Sequence, residues 1–447
     1  MGTATTASFT TSQATGGLPV IGHALSWLRD PQGFVRSLTS QGDLVRVKIG
    51  PISAVVVCHP ELVHELLLND RIFDKGGPFY DRAREFAGNG LVTCPYGDHR
   101  RQRRMMQPMF QRSRIPGYAA MMTAQIAEVV SEWREHDVVD VSLATHELAA
   151  RIAGATMFGS ADGKANRLEL CTTIQRVLKG MYQRMLTPAP LDRLPTPGRL
   201  QYDRANARLR RIAGEHIAAY QRSGVDHGDL LSLLLAARDD DAQPLSEAEA
   251  YDQIVNIMVA SIETMGSLLA SVMYVLTAHP EVERRLHQEV DTVLAGRAAT
   301  WEDIPDLDYT RRVVTETLRR YTPAWFFTRT TTRDAVLGGH ALAAGTTLIY
   351  SSLQLHLNPD LYPDAEVFDP DRWPNDRGRS PRGEFIPFAE GARKCIGDTF
   401  AMTQAVLAVA SIAARWRMAP ADGRPVAWTR GATLAPRRLR VRLSARG

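Results

Sequence analysis

From about residue 60 to 334, apolar residues recur mostly at helical spacing, which predicts a mostly α fold. The main exception lies near the N-terminus. In "DLVRVKIGPISAVVVCHPE", Val45, Val47 and Ile49 alternate with Arg46 and Lys48, the period-two signature of a half-buried strand. Gly50-Pro51 then turns the chain back into "AVVVC", which predicts a small hairpin. Two irregular stretches, "DKGGPFYDRAREFAGNG" and the Pro-rich "LTPAPLDRLPTPGR", read as loops. The longest predicted helix runs from about Ser246 to His279, opening on a capping box of Ser246 and Glu249 and closing before Pro280. At that length it spans roughly 50 Å and crosses the whole body. Its middle, "IVNIMVASIETMGSLLASVMYVL", is apolar nearly all round, the pattern of a helix buried on every side. Beyond Leu337 come short strand-like pieces, a loop-rich run to Phe385, and a last helix to about Arg417. A long irregular run in a compact chain is commonly functional.

Composition narrows the setting. With 447 residues, 44% of them hydrophobic, the chain can bury a large core. No repeat or linker divides it, so residues 17–447 are expected to form a single domain behind a disordered tail over residues 1–16. That Thr-, Ser- and Gly-rich start has neither a basic n-region nor an apolar run, so no secretory signal and no membrane anchor are expected, and the protein should be soluble and cytoplasmic. Cys58, Cys94, Cys171 and Cys395 lack paired spacing, which speaks against a disulfide framework or a CxxC metal site. A net charge of +4 from 53 basic and 49 acidic residues is too balanced to point to nucleic acid. The densest basic stretch, "HRRQRRMMQP" from His99, reads either as a solvated helix face or as an anion clamp. The acidic "RDDDAQPLS" reads as a solvated loop rather than a metal site.

The most informative stretch is "FIPFAEGARKCIGDTFA", where Phe388, Gly391, Cys395 and Gly397 form the spacing F-x-x-G-x-x-x-C-x-G. A lone cysteine is ordinarily a small buried hydrophobe. Here glycines allow close backbone approach to a flat cofactor, a helix starts just after the sulfur, and Arg393 and Lys394 precede it; helix dipole and cations together favour a thiolate. With this motif the chain resembles the cytochrome P-450 family of haem-thiolate monooxygenases. The resemblance implies the P-450 fold, mostly α with a small β region, with a long central helix over a haem b whose iron is bound by Cys395, Phe388 and Gly397 lying beside it. An axial thiolate donates electron density that favours O–O cleavage.

Other motifs extend the resemblance over nearly the whole chain, from "LPVIGH" onward. "TETLRR" supplies Glu316 and Arg319 and "FDPDRW" supplies Arg372, similar to the family's E-x-x-R helix and the element after it. As an exposed i, i+3 pair Glu316 and Arg319 would contribute only ~0.5 kcal/mol; as a buried network with Arg372 they would hold the cysteine loop in register. Haem propionates need cationic or hydrogen-bonding partners. His99 and Arg103 in "HRRQR", Arg329 in "FFTRTT" and Arg393 match the family's propionate positions, and His356 in "LQLHLNPD" reads either as a further one or as a satisfied core histidine.

On the long helix, "VASIETM" places Glu263 and Thr264 where the family uses an acid and an alcohol to deliver protons to dioxygen. The alternative for Thr264 is a hydroxyl back-bonded to the Ala260 carbonyl; both readings are compatible. Ser261 and Met265 depart from the family's usual glycine and hydroxyl residue. Segments that resemble substrate-contacting regions are apolar: Phe79, Tyr80, Phe86, Leu91, Met181, Met185, Val259, Ala260, Ile262, Trp325, Phe326 and Phe327. They predict a dry cavity for an apolar small molecule. "GMYQRMLTPAPLDRLPTPGR" is similar, more loosely, to actinomycete oxidases of cyclic sesquiterpenes in natural-product biosynthesis; polyketides, fatty acids and steroids are the other substrate classes. No flavin or nicotinamide fingerprint is present, so electrons are expected from a ferredoxin and its NAD(P)H-dependent reductase, docked near Arg393, Lys394 and Arg100 or Arg101, onto a monomeric protein using O2. A hydrogen-peroxide-driven peroxygenase and a non-catalytic haem sensor are the competing readings.

Overall fold

The computed structural model describes residues 9–158, 163–223, 229–373 and 383–446. Helices dominate, and the predicted long one is observed over Glu247–Ala278, with Ser246 and Glu249 closing the capping box reciprocally. Its 32 residues span about 48 Å. It is the one described helix long and apolar enough to cross a membrane, and most of that stretch is buried against protein.

Around its C-terminal half lies the largest apolar cluster, joining Met265, Leu268, Leu269 and Val272 to the helices Ile115–Glu132, Pro280–Leu294, Asp308–Arg320 and Asp398–Arg415. Its N-terminal half enters a second cluster with Pro78–Ala87, Lys164–Met185 and Pro197–Ser223. Val141–Phe158 packs most extensively against the long helix. The approach is close because Gly266 lacks a side chain: a Cβ there would sit 2.5 Å from the ring of His146.

The β region is a six-stranded sheet in the order Thr11–Gln13, Leu44–Ile49, Ile52–Val57, Thr347–Tyr350, Phe327–Thr331 and Phe73–Asp74, with a three-stranded sheet of Trp416–Pro420, Arg440–Ala445 and Val138–Asp140 and two strand pairs beside it. The predicted hairpin is its centre, pairing Val45 with Val56 and Val47 with Ala54. Residues 1–8 of the expected tail lie outside the described residues, but the remainder is ordered: Thr11–Gln13 pairs in parallel with Leu44–Arg46, and the Thr10 backbone N–H donates to Asp43. Long-range strand pairing of so short a segment leaves little local signal. The stretch around Pro78 also departs from its loop reading. Pro78–Ala87 is a helix with proline in its first turn and Tyr80, Ala83, Phe86 and Ala87 buried at helical spacing.

Candidate functional site

The loop before Cys395 is a pair of tight turns. Backbone N–H groups of Ala389, Lys394 and Cys395 donate to the carbonyls of Ile386 (3.1 Å), Gly391 (3.1 Å) and Phe388 (2.9 Å). Gly391 has φ +70°, and a Cβ on it would lie 2.5 Å from the Leu67 carbonyl oxygen, so only glycine fits against the helix Pro60–Leu68. Gly397 has an ordinary φ of −98° and caps the helix Asp398–Arg415.

Cys58, Cys94 and Cys171 are buried, whereas Cys395 carries accessible surface. Even so, desolvation by surrounding protein raises its pKa, outweighing the Gly397 N–H and the charges of Arg103 and Lys394 that favour thiolate; Asp398 adds to the rise. Accessible yet desolvated, the sulfur faces an internal space. Arg393 does not contribute as expected, since its charge is absorbed elsewhere. An electropositive metal is what would tip this thiol to thiolate.

The long helix supplies the opposite wall. Val259, Ala260, Ser261 and Thr264 are partly accessible between stretches that are almost wholly buried, an opening in mid-helix. Ile396, next to the cysteine, packs on the same apolar cluster as Phe86, Leu91, Met181 and Ile262, with Phe79 and Val259 beside them. This brings together half of the predicted pocket residues. Met185, Trp325 and Phe326 instead pack with Trp27 and Ile49 in the core of the N-terminal sheet, and Trp325 donates its indole N–H to the Gly431 carbonyl at 2.9 Å. Tyr80 and Phe327 stack on each other, with Tyr80 turned to Arg329.

Thr264 donates to the Ala260 carbonyl at 2.6 Å and Ser261 to the Ile257 carbonyl at 2.7 Å, within an uninterrupted helix. The backbone ladder is unbroken here; its carbonyls are shared with hydroxyls. Glu263 is buried and accepts from the Thr433 hydroxyl at 2.7 Å, with His146 Nε2 3.5 Å from its other oxygen. Solvent therefore does not reach the acid directly.

A cationic cluster lies to one side. Arg393 is fully buried, its guanidinium donating to Asp70 (2.9 Å), Asp74 (2.8 Å) and the Cys94 carbonyl (3.0 Å). Arg103 donates to the Lys394 carbonyl and so ties its helix to the cysteine loop. Arg329 is buried without a carboxylate partner among the described residues; its Nε has no partner, and its Nη1 donates only to the Thr328 carbonyl at 3.2 Å and the Tyr80 hydroxyl at 3.3 Å. Lys75, which sequence reasoning missed, reaches the Val92 carbonyl at 2.8 Å, and burial with the charges of Arg329 and Arg393 lowers its pKa to about 7. Burial with Arg393, Lys75, Arg103 and Arg329 lowers His99 to about 3, so it stays neutral. Arg393, Lys75, Arg103 and Arg329 thus converge on His99, with Asp70 and Asp74 taken up by Arg393. The excess suits the two propionates of a haem, and the orphaned Arg329 donor is the atom that calls for one.

Arg329→Ala is therefore expected to lower haem affinity roughly 10- to 100-fold, the worth of a charge-assisted hydrogen bond. The fold should hold, because an uncompensated buried charge is being removed. Haem transfer to a scavenging apoprotein checks this, and an unchanged transfer rate would refute it.

His356 is corrected from cofactor contact to core. Its Nε2 accepts from the Ile386 N–H at 3.0 Å and its ring lies against Phe385. It belongs to the Glu316–Arg319 network, where both side chains have no exposure. Arg319 clasps Glu316 through two hydrogen bonds of 2.7 and 2.9 Å and donates to the carbonyls of His356, Ala365 and Val367. Glu316 also accepts from the Asp369 N–H and the Trp373 indole. Arg372 is the expected third charge, 3.6 Å from Glu316.

The basic helix Tyr96–Met106 is no simple solvated face, and the acidic loop is not free in solvent. Arg101 bonds Asp239 and Glu249, and Arg104 bonds Asp240. No group of His, Cys, Asp and Glu among the described residues is arranged to hold a metal ion.

The family model for cytochrome P-450 matches residues 13–440. Pentalenene oxygenase of Streptomyces avermitilis is 45% identical, covering 98% of each chain. Cyclooctat-9-en-7-ol 5-monooxygenase of Streptomyces melanosporofaciens is 46% identical over 93% of this chain and 91% of its own. Cyclooctatin synthase of the same organism is 42% identical over 92% and 90%. With its cysteine loop, long helix and cationic cluster in place, this chain belongs to the cytochrome P-450 family and is a haem b monooxygenase.

Proposed function

We propose that the protein oxidises a cyclic terpene, a sesquiterpene foremost, with Cys395 as the axial ligand of its haem. The observation that carries this is the pairing of an accessible, desolvated thiol with an apolar wall of Phe86, Leu91, Met181 and Ile262 under the opening at Val259–Thr264. Such a wall holds a hydrocarbon by shape and excludes water. The names of two relatives, which act on pentalenene and cyclooctat-9-en-7-ol, support the same class. Bound in this place, the haem supplies dioxygen activation. The chain's own part is to orient the substrate, keep the site dry, and hold protons at Glu263 and the Thr264 hydroxyl.

Electrons are assigned to an acidic ferredoxin with its NAD(P)H-dependent reductase, and a soluble, cytoplasmic monomer suits that supply. The docking face differs from the sequence expectation: Arg393 is buried, Arg101 is engaged and Lys394 pairs with Asp398, which leaves the exposed Arg100, Arg112 and Arg114. The intact Glu263–Thr264 pair disfavours a peroxygenase or sensor reading.

The test is turnover of cyclic sesquiterpene hydrocarbons by the holoprotein with ferredoxin, reductase, NADPH and isotopically labelled O2. One labelled oxygen atom in the product supports the reading. A hydrogen-peroxide-driven rate far above the ferredoxin-driven one would replace it with the peroxygenase, and turnover of fatty acids or steroids alone would replace the substrate class.

A further inference from the structure

Glu263 and Thr264 are neighbours in a helix, so their side chains leave it about 100° apart. Glu263 points not toward the hydroxyl but into the seam with Val141–Phe158, where it meets His146. That seam is built for the encounter. Gly266 clears room for the imidazole, and Thr145, next to His146, donates to the Gly266 carbonyl at 2.8 Å. His146 Nδ1 lies 2.7 Å from the Ser142 carbonyl oxygen, which can only accept, so Nδ1 carries a proton. Every remaining choice concerns one gap, the 3.5 Å between His146 Nε2 and Glu263 Oε2, two buried atoms with no other hydrogen-bond partner.

We infer that His146 and Glu263 form a proton-holding dyad, in which His146 is the positioning residue that keeps one proton beside the catalytic acid. The inference rests on the monooxygenase reading above. With no proton in the gap, an imidazole lone pair would face a carboxylate in a buried site, an arrangement strongly disfavoured in low dielectric. One proton relieves it, on either atom, as imidazolium and carboxylate or as imidazole and carboxylic acid. When Glu263 gives that proton up, His146 is left neutral with its Nδ1–H intact, Glu263 is left as carboxylate, and the gap draws in a replacement.

The surroundings leave the dyad as the titrating unit. Asp140 is the other acid whose charge reaches His146 from its own side. From Lys164–Met185 come Cys171, whose thiol donates to the His146 carbonyl and is held neutral by burial at a pKa of about 12, and Arg167, which bonds Glu147 at 2.8 Å. The C-terminal segment contributes only the neutral Thr433 hydroxyl on Glu263 Oε1. Burial works against charge on both members, but their mutual attraction prevails: His146 is held above its ordinary value and Glu263 below.

The direct test is nuclear magnetic resonance of histidine-labelled holoprotein in the diamagnetic, reduced, carbon monoxide-bound form, with His146 assigned from the His146→Gln spectrum. Its midpoint is expected above the ordinary histidine value, raised by the Glu263 carboxylate, and is expected to fall back to or below that value in Glu263→Gln. The dyad also predicts that product formed per NADPH falls as pH rises through that midpoint. In His146→Gln, which still donates to Glu263 but does not titrate, this alkaline limb should vanish and coupling should drop several-fold at neutral pH. A wild-type midpoint at or below the ordinary value, or one that Glu263→Gln leaves in place, overturns the inference with no need for turnover. An unchanged pH profile in His146→Gln overturns it too. The resonance experiment needs no substrate, so a wrong substrate class leaves it readable.

Discussion

Replacing Arg319 with alanine is expected to destabilise the fold by about 3–5 kcal/mol, the usual consequence of stripping one partner from a buried ion pair. Glu316 would remain in a site with no exposure, its charge facing only the Trp373 and Asp369 N–H groups and the more distant Arg372. Three carbonyls, of His356, Ala365 and Val367, would lose their donor at the same time. Against a total stability of ~5–15 kcal/mol this is a large fraction. The damage also travels to the active site. Arg319 fixes the His356 carbonyl, the His356 ring fixes the Ile386 N–H, and two residues on, the Phe388 carbonyl receives the Cys395 N–H. Low soluble yield together with loss of haem from whatever folds is the expected result. Arg319→Lys should rescue only part of it, since an ammonium cannot reproduce the planar fork that grips Glu316. A melting temperature for Arg319→Ala within 2 °C of wild type would show that the network is not what holds the loop.

That network also shows where sequence reasoning reached and where it stopped. Glu316 with Arg319, Cys395 with Gly391, and the Ser246 capping box are visible as spaced motifs because each depends on neighbours within a few residues, whereas Arg372 is reached only through the family resemblance. Trp373 and Asp369 were passed over, although they complete the acceptor side of Glu316 from more than 50 residues away. Lys75 was missed for the same reason: nothing in "FDKGG" announces that its ammonium meets Arg329 and Arg393 from distant segments. His356 was ambiguous because a histidine's neighbours in sequence do not say which way its ring points. Arg393 was placed correctly beside the cysteine, yet Asp70 and Asp74, over 300 residues earlier, take up its charge. The helical apolar spacing was read correctly throughout the long helix, where period and length agree. It was overlooked in Pro78–Ala87, where flanking glycines and a proline hid a single amphipathic turn pattern.

The second large effect is at the sulfur itself. Cys395→Ser is nearly isosteric, and the side chain borders an internal space rather than a packed core, so the apolar burial it removes is small. Folding should change by less than about 1 kcal/mol, which in a chain this long moves the melting temperature by about 2 °C or less. The turns that present residue 395 are made by backbone groups of residues 386–395 and by Gly391 against Leu67, none of which involves the thiol. Chemistry should respond in the opposite way. A serine hydroxyl, with its far higher pKa, does not ionise under the same Gly397, Arg103 and Lys394 influence that fails even to bring the free thiol below its ordinary value. It is also a hard oxygen ligand that cannot supply the thiolate's electron density. Monooxygenation should therefore be abolished while the cationic cluster around Arg329 still retains haem. The absorption of the reduced, carbon monoxide-treated protein should lose its thiolate character. If Cys395→Ser keeps both that spectrum and product formation, the iron is held by a different residue and the assignment of this loop falls with it.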